Sequence, residues 1–254
     1  MPTITQLQFL GHASFRITTP EGHVILLDPW LSNNPYVPEH LRQPERADLV
    51  LLTHGHDDHL DAELPALLAR TGAKLVAPAP VRFYLQELGV PVAQCEAMNV
   101  GGSIDVLGLR LTMTLAHHAA HVDLPGGSTG FAHEGVGFVM RFSDETVLYA
   151  AGDTGLFGDM RLLADLYQPS VALLPIGDRY TMGPREAAHA ARLLRVPHLV
   201  PFHFGTFPSL LGTPEQLQSY LTPADGVTVH TLEAGATLDL SSLRKVAGAG
   251  AIFV

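Results

Sequence analysis

Asp48-Leu49-Val50-Leu51-Leu52-Thr53-His54-Gly55-His56-Asp57-Asp58-His59-Leu60-Asp61 is the stretch that decides how this chain is read. Residues 48–52 are almost wholly apolar and too few for a helix, so they suit a strand buried on both faces. Apolar residues then recur at helical spacing over 61–70. Between the two lies a His-x-His-x-Asp-His cluster, on a strand-to-helix turn where side chains fan outward. His54 and His56 share a parity and can take one metal ion; Asp58 and His59 lie one step further round and can take the next. Imidazole and carboxylate ligands suit zinc, manganese or iron, and the cluster holds no cysteine to favour a softer metal. A polar turn that merely caps the helix is the bland alternative. Asp61 suits that task, but a cap needs one such residue and not three histidines beside it.

Working outward, 4–10, 13–18 and 23–28 are β-type runs separated by Gly11 and by Pro20-Glu21-Gly22. A Pro/Asn-rich loop (29–46) leads into the decisive strand. After it the spacing predicts helices over 61–70 and 80–88 with an apolar segment at 74–77 between them. Residues 104–116 form a hairpin pair turning at Gly108, which enters a loop rich in His, Gly and Pro. The scheme then repeats, with strands at 136–142, 146–151, 170–174 and 198–202, and helices at 158–167 and 184–195. Pro184 opens the second of these as a first helical residue. A last helix begins near Thr213-Pro214, and strands lie at 227–230 and 236–240. The tail after Leu240, with Gly248 and Gly250, has weak signals. Two mixed β-sheets packed together with helices outside follow from this order: an α/β, four-layer αββα sandwich, with residues 1–254 forming one domain.

A two-metal site needs more ligands than the cluster holds. Three later segments offer them, each at the end of an expected strand: Thr114-Leu115-Ala116-His117-His118, Tyr149-Ala150-Ala151-Gly152-Asp153-Thr154-Gly155, and Val200-Pro201-Phe202-His203-Phe204-Gly205-Thr206. One such histidine is usually a satisfied core or surface group. Four such segments in one chain are another matter.

The cluster at 53–61 resembles the hallmark of the metallo-β-lactamase superfamily. Ala151-Gly152-Asp153-Thr154, Leu174-Pro175-Ile176-Gly177-Asp178, Thr181-Met182-Gly183-Pro184, Val200-Pro201-Phe202-His203 and Thr206-Phe207-Pro208 resemble one branch of it. That branch is the bacterial metal-dependent hydrolases akin to ascorbate-6-phosphate lactonase. They are similar, more distantly, to the phospholipase D that cleaves N-acyl phosphatidylethanolamine. The resemblance covers residues 4 to 240. It implies His54, His56 and His118 on one divalent ion, Asp58, His59 and His203 on a second, and Asp153 bridging; zinc or manganese is the expected metal. The family's Thr-x-Ala-x-His phrase selects His118 over His117, and strand parity with Thr112 and Thr114 agrees, which leaves His117 to the core or behind a ligand. Asp28 resembles a family position that holds a metal-binding histidine by its other nitrogen, although a turn Asp before Pro29 reads equally well. His12 matches a family position near the site, with a hydrogen-bonded structural histidine as its alternative. Asp178 and Arg179 lie on a loop able to cover the metals, where Arg179 either holds an anionic substrate or is simply solvated.

The implied chemistry is hydrolysis by a metal-activated hydroxide, with Asp58, His118 and Asp153 closest to the reaction and Asp58 orienting the attacking oxygen. A small ester, lactone or phosphoester is the expected substrate. A phosphodiesterase acting on lipid or nucleotide, and a non-catalytic metal-binding module, are the alternatives. Structural zinc sites are closed, four-coordinate and often built on cysteine, which argues against the module.

Composition narrows the partners. Fifteen Lys+Arg against 25 Asp+Glu give a net charge of −10, which repels phosphate backbones at long range and disfavours nucleic acid. A local metal pair still attracts a small molecule, an anionic one included; a homo-oligomer is allowed. No apolar run approaches the ~18 residues of a membrane span, and the N-terminal residues carry no basic stretch followed by an apolar one. The expectation is a cytoplasmic protein without membrane contact. Cys95, the only cysteine, permits no internal disulfide and reads as a small buried apolar residue. Gly126-Gly127-Ser128-Thr129-Gly130 matches a nucleophile-elbow pattern but lacks the strand before and helix after that the elbow requires, so a flexible loop is expected.

Overall fold

The decisive apolar run forms β4 (Leu49–Leu51), and its side chains alternate between two separate cores. Leu49 and Leu51 join one cluster with Phe15, Ile25, Phe138 and Leu173. Val50 and Leu52 join another with Leu64, Leu68, Val81 and Leu85. That is why the run is apolar throughout: both faces of the strand are covered, and each fully buried leucine contributes about 1.5–3 kcal/mol. The structure is a computed structural model and describes residues 4–124 and 127–243.

Two mixed sheets pack face to face. The first has the order β13-β1-β2-β3-β4-β5, built from β1 (Gln6–Gly11), β2 (Ser14–Thr18), β3 (Val24–Leu27), β4, β5 (Lys74–Val76) and β13 (Thr237–Asp239). The second has the order β12-β11-β10-β9-β8-β7-β6. Its strands are β6 (Ser103–Val106), β7 (Leu109–Asp123), β8 (Thr129–Arg141), β9 (Val147–Ala150), β10 (Val171–Pro175), β11 (His198–Phe202) and β12 (Thr228–Val229). Helices α1 (Leu64–Thr71) and α2 (Ala79–Glu87) cover the outer face of the first sheet. Helices α3 (Met160–Tyr167), α4 (Pro184–Leu194) and α5 (Pro214–Ser219) cover that of the second. This is the four-layer αββα sandwich expected from the element order. The last strand, β13, crosses back to pair with β1.

Local chemistry explains the boundaries. Pro184 is the first residue of α4, where its missing N–H costs nothing. Thr213 caps α5 through a capping box with Gln216. Asp61 does not cap α1, contrary to expectation: Glu63 occupies that position. The Asp61 carboxylate accepts the backbone N–H of Glu63 at 2.8 Å, just ahead of the helix, as well as those of Leu31 and Ser32 at 2.7 and 2.6 Å. It therefore ties the loop after β3 to the metal-cluster turn.

The expected loop after residue 116 is also corrected. β7 continues to Asp123 and β8 begins at Thr129, so the segment is a long hairpin. Register shifts between Leu115 and Ala119 and between Ala120 and Val122 interrupt its pairing. Bulges of this kind abolish the period-two pattern by which a strand is read from sequence. Of the nucleophile-elbow phrase, Gly126 lies outside the described residues; Thr129 and Gly130 open β8, so a strand and not a helix follows Ser128. The tail beyond residue 243, with Gly248 and Gly250, lies outside the described residues. Cys95 is half-buried rather than buried. Among the described residues no helix is long and apolar enough to cross a membrane.

Candidate metal centre

Strand ends at one edge of the two sheets deliver the candidate ligands. β1 runs into His12, β3 into Asp28, β4 into Thr53-His54, β9 into Asp153 and β11 into His203, while the first bulge of β7 presents His118. β3 and β4 are parallel, as are β9, β10 and β11, and ligand sites in such sheets lie at the strands' carboxyl ends. His12, Asp28 and His203 adopt φ of 57°, 44° and 57°. That left-handed backbone costs a non-glycine residue about 1–3 kcal/mol and gathers at functional sites. Gly152, at φ 64°, is required where it stands: a Cβ there would lie 2.5 Å from the Val136 carbonyl oxygen. This close approach seats Asp153 against the turn that bears His54.

Three groupings result, each with ligand atoms within 4.8 Å of one another: His54, His56 and His118; His12, Asp58, His59 and His203; and His54, His59 and Asp153. The first two bring together the residues expected on each ion, with His12 beside the second set. Asp153 reaches both, its Oδ2 lying 3.9 Å from His118 Nε2 and 3.0 Å from His203 Nε2, and its Oδ1 3.5 Å from His59 Nε2.

The donor set fits a metal. His54 Nε2, His59 Nε2 and Asp153 Oδ1 are buried with no hydrogen-bond partner among the described residues, a costly state unless something else binds them. Ligands ~2.05 Å from a tetrahedral ion stand about 3.3 Å apart. His56 Nδ1 and His118 Nε2 are 3.3 Å apart.

Asp28 fixes how two of the imidazoles face this space. Its carboxylate accepts from the Thr53 backbone N–H at 2.7 Å and from the Thr53 hydroxyl at 2.6 Å. With its proton given to Asp28, the Thr53 oxygen can only accept from His54 Nδ1, 2.9 Å away. The same Asp28 oxygen accepts from His59 Nδ1 at 2.9 Å. Both rings are thus held with Nε2 turned inward, His59 directly and His54 through Thr53.

Electrostatics without metal follow from burial and the two carboxylates. Burial depresses His54, and takes His56 and His12 down to about 4. For His203 burial also works downward, but the Asp153 carboxylate outweighs it and lifts the ring to about 9. His59 rises likewise, burial being overcome by Asp153 and Asp28. Burial pushes Asp58 up, yet the hydrogen bond with His12 and the nearby His203 ring, 3.7 Å away, hold it well below the usual carboxylate range. Two protonated rings thus offset two ionised carboxylates where a metal would put positive charge.

The remaining expected residues divide. His12 Nε2 lies 3.1 Å from Asp58 Oδ2 and its Nδ1 2.9 Å from the Thr206 hydroxyl, so it steers Asp58. Asp178 and Arg179 are exposed on the loop after β10. Arg179 packs over the Tyr180 ring, and no contact joins either side chain to the cluster. His117 is exposed, with its ring edge-on to Phe157, and is neither core nor behind a ligand. Sequence reasoning missed His121, whose ring lies 4.8 Å from that of His56 and whose Nε2 is 3.1 Å from Asp123 Oδ1. The alternation that could have placed it is destroyed by the β7 bulges. A cleft of about 610 Å³ opens elsewhere, beside α1, but none of the candidate ligands line it. Its arginines, Arg42 and Arg70, are engaged by backbone carbonyls of Val37, Asn34 and Pro44.

Known proteins resemble this chain over most of its length. Residues 23–204 match the model of a beta-lactamase superfamily domain. The chain is 46% identical over 235 residues to a UPF0173 metal-dependent hydrolase of Rubrobacter xylanophilus, covering 92% of this chain and 96% of that protein. A UPF0173 metal-dependent hydrolase of Herpetosiphon aurantiacus is 44% identical over 218 residues, covering 85% and 90%. Among solved structures, Igni18, a metallo hydrolase from the hyperthermophilic archaeon Ignicoccus hospitalis, is similar with a TM-score of 0.78 and 32% identity, over 92% of this chain and 97% of that one.

Proposed function

The chain belongs to the UPF0173 metal-dependent hydrolases of the metallo-β-lactamase superfamily, and from that premise we propose that it cleaves a small ester, lactone or phosphoester at a two-metal centre. One observation carries the reading. Asp153 stands between a three-histidine group and an Asp58/His59/His203 group, and His54 Nε2, His59 Nε2 and Asp153 Oδ1 are buried without hydrogen-bond partners among the described residues.

In this reading His54, His56 and His118 would hold one divalent ion, Asp58, His59 and His203 the other, and Asp153 would serve both; zinc or manganese suits the donors. Divalent metal held there would supply Lewis-acid chemistry, activating water near neutral pH and polarising a carbonyl or phosphoryl oxygen. Asp58, kept ionised and steered by His12, orients the attacking water and accepts a hydrogen bond from it. Asp28 keeps His59 and His54 from rotating away. Hydrolysis then needs no Ser or Cys nucleophile, and half-buried Cys95 is not among the cluster's residues. The net charge of −10 keeps polyanions at a distance, which favours a small substrate over nucleic acid.

Asp153→Asn tests it, because the change keeps shape and removes the bridging charge. Circular dichroism should report a folded chain, metal titration a weakened second ion, and turnover of a lactone or phosphodiester panel should collapse. Near-normal turnover with two ions bound would refute the bridging role.

A further inference from the structure

Beyond the ligands, the loops around the cluster form one hydrogen-bonded rim. The Met182 N–H donates to the Thr154 carbonyl at 2.9 Å, Gly212 to Gly177 at 3.4 Å, and Leu210 to Phe207 at 2.9 Å. The Tyr36 hydroxyl donates to the Gly205 carbonyl at 2.8 Å. This rim carries Tyr36, Leu156, Tyr180, Phe207 and Leu211. They are five of the twelve exposed large hydrophobic side chains among the described residues. Single exposed apolar residues need no explanation, but a set gathered on the loops around one polar cluster does.

Phe207 connects the rim to the chemistry. Its exposed ring stacks on Trp30, with centroids 6.1 Å apart and planes at 26°, and stands edge-on to His12 at 5.5 Å. Trp30 is itself edge-on to His12 at 5.4 Å. His12 Nε2 in turn lies 3.1 Å from Asp58 Oδ2. A single imidazole therefore separates an exposed aromatic surface from the carboxylate that orients the attacking water. The bonds from His12 to Thr206 and from Tyr36 to Gly205 pin the two residues that lead into Phe207. Such a fixed aromatic face binds a flat apolar group at little ordering cost.

We propose that Phe207, backed by Trp30 and flanked by Tyr36, is a substrate-binding wall for an aromatic or bulky apolar substituent of the ester, lactone or phosphoester. The inference rests on the metal-anchored reading above and adds the substrate's non-reacting half. The Arg179 guanidinium, over Tyr180 on the same rim, adds a cation at the outer edge, so the wall does not require the whole substrate to be uncharged.

Phenylphosphonate and methylphosphonate share an anionic head able to reach the metals and differ in the group that would meet the wall. Calorimetric titration of the metal-loaded chain should show phenylphosphonate binding tighter by on the order of tenfold. Phe207→Ala should bring that ratio close to one without loss of metal. Leu166→Ser, on an exposed α3 position away from the rim, should leave it intact. Equal binding of both phosphonates by the unaltered chain would overturn the wall while leaving the metal anchor standing. Failure of both to bind a chain holding two ions would overturn the anchor and the wall together. A ratio unmoved by Phe207→Ala, with a changed sedimentation coefficient instead, would reassign the rim to contact between copies of the chain.

Discussion

Asp28 Oδ2 accepts a hydrogen bond from His59 Nδ1 at 2.9 Å, and the same oxygen takes the Thr53 hydroxyl whose own lone pair faces His54. One buried carboxylate thereby governs a candidate ligand in each of two groups. Asp28→Asn offers an amide where acceptors are needed, so it should weaken both metal sites, by about 10–100-fold each. Thr53→Val cuts only the branch to His54 and should weaken one site. Competition with a chromophoric chelator distinguishes them; equal affinities in the two variants and the unaltered chain would remove Asp28 from the account.

His117 and His118 are neighbours with different surroundings. His118 lies 3.3 Å from His56 Nδ1 at the cluster, whereas His117 is exposed against Phe157. His118→Ala should lose metal and turnover. His117→Ala should keep both and alter stability by no more than about 0.5 kcal/mol, as exposed substitutions do. Metal content and thermal unfolding of the pair decide it, and metal loss from His117→Ala alone would reverse the assignment.

The metal-free chain has a defined response to pH. His203 binds its proton with a pKa of about 9 when folded, against about 6.5 in an unfolded chain. Its contribution to stability is therefore full below pH ~6.5 and lost as pH rises through about 9. His59 acts in the same direction. His12 and His56, lowered to about 4, contribute above pH ~6.5 and lose that as pH falls toward 4. Stability in the presence of chelator should peak near pH 6.5. Metal displaces the ring protons, so the alkaline decline should disappear when zinc or manganese is added. Calorimetric Tm values at pH 5, 6.5 and 9.5 test this; a metal-free Tm that rises from 6.5 to 9.5 would contradict it.

What could be read in the sequence was local. Leu49 to Leu52 announced a strand covered on both faces because both periodic positions are apolar. Pro184 and Thr213 marked helix starts because their backbone chemistry suits those positions. The candidate ligands sit at strand ends, where a change of pattern is itself the signal. What escaped depended on contacts across the fold. The 46-residue separation of His12 from Asp58, the tie from Asp61 to Leu31 and the stack of Phe207 on Trp30 leave no mark in spacing. The β7–β8 hairpin escaped for a different reason. Its bulges break alternation where His117, His118 and His121 occur, so residues of one strand read as loop, and His121 was passed over beside the candidate ligand His56.

A pair of ions joined by Asp153 would set the metal content of the chain, and that content at saturation tests the two-metal centre most directly. The purified chain, stripped with chelator and reloaded with zinc or manganese, should hold close to two ions per chain by elemental analysis. A chain that saturates at one ion under excess of either metal would contradict the two-metal centre.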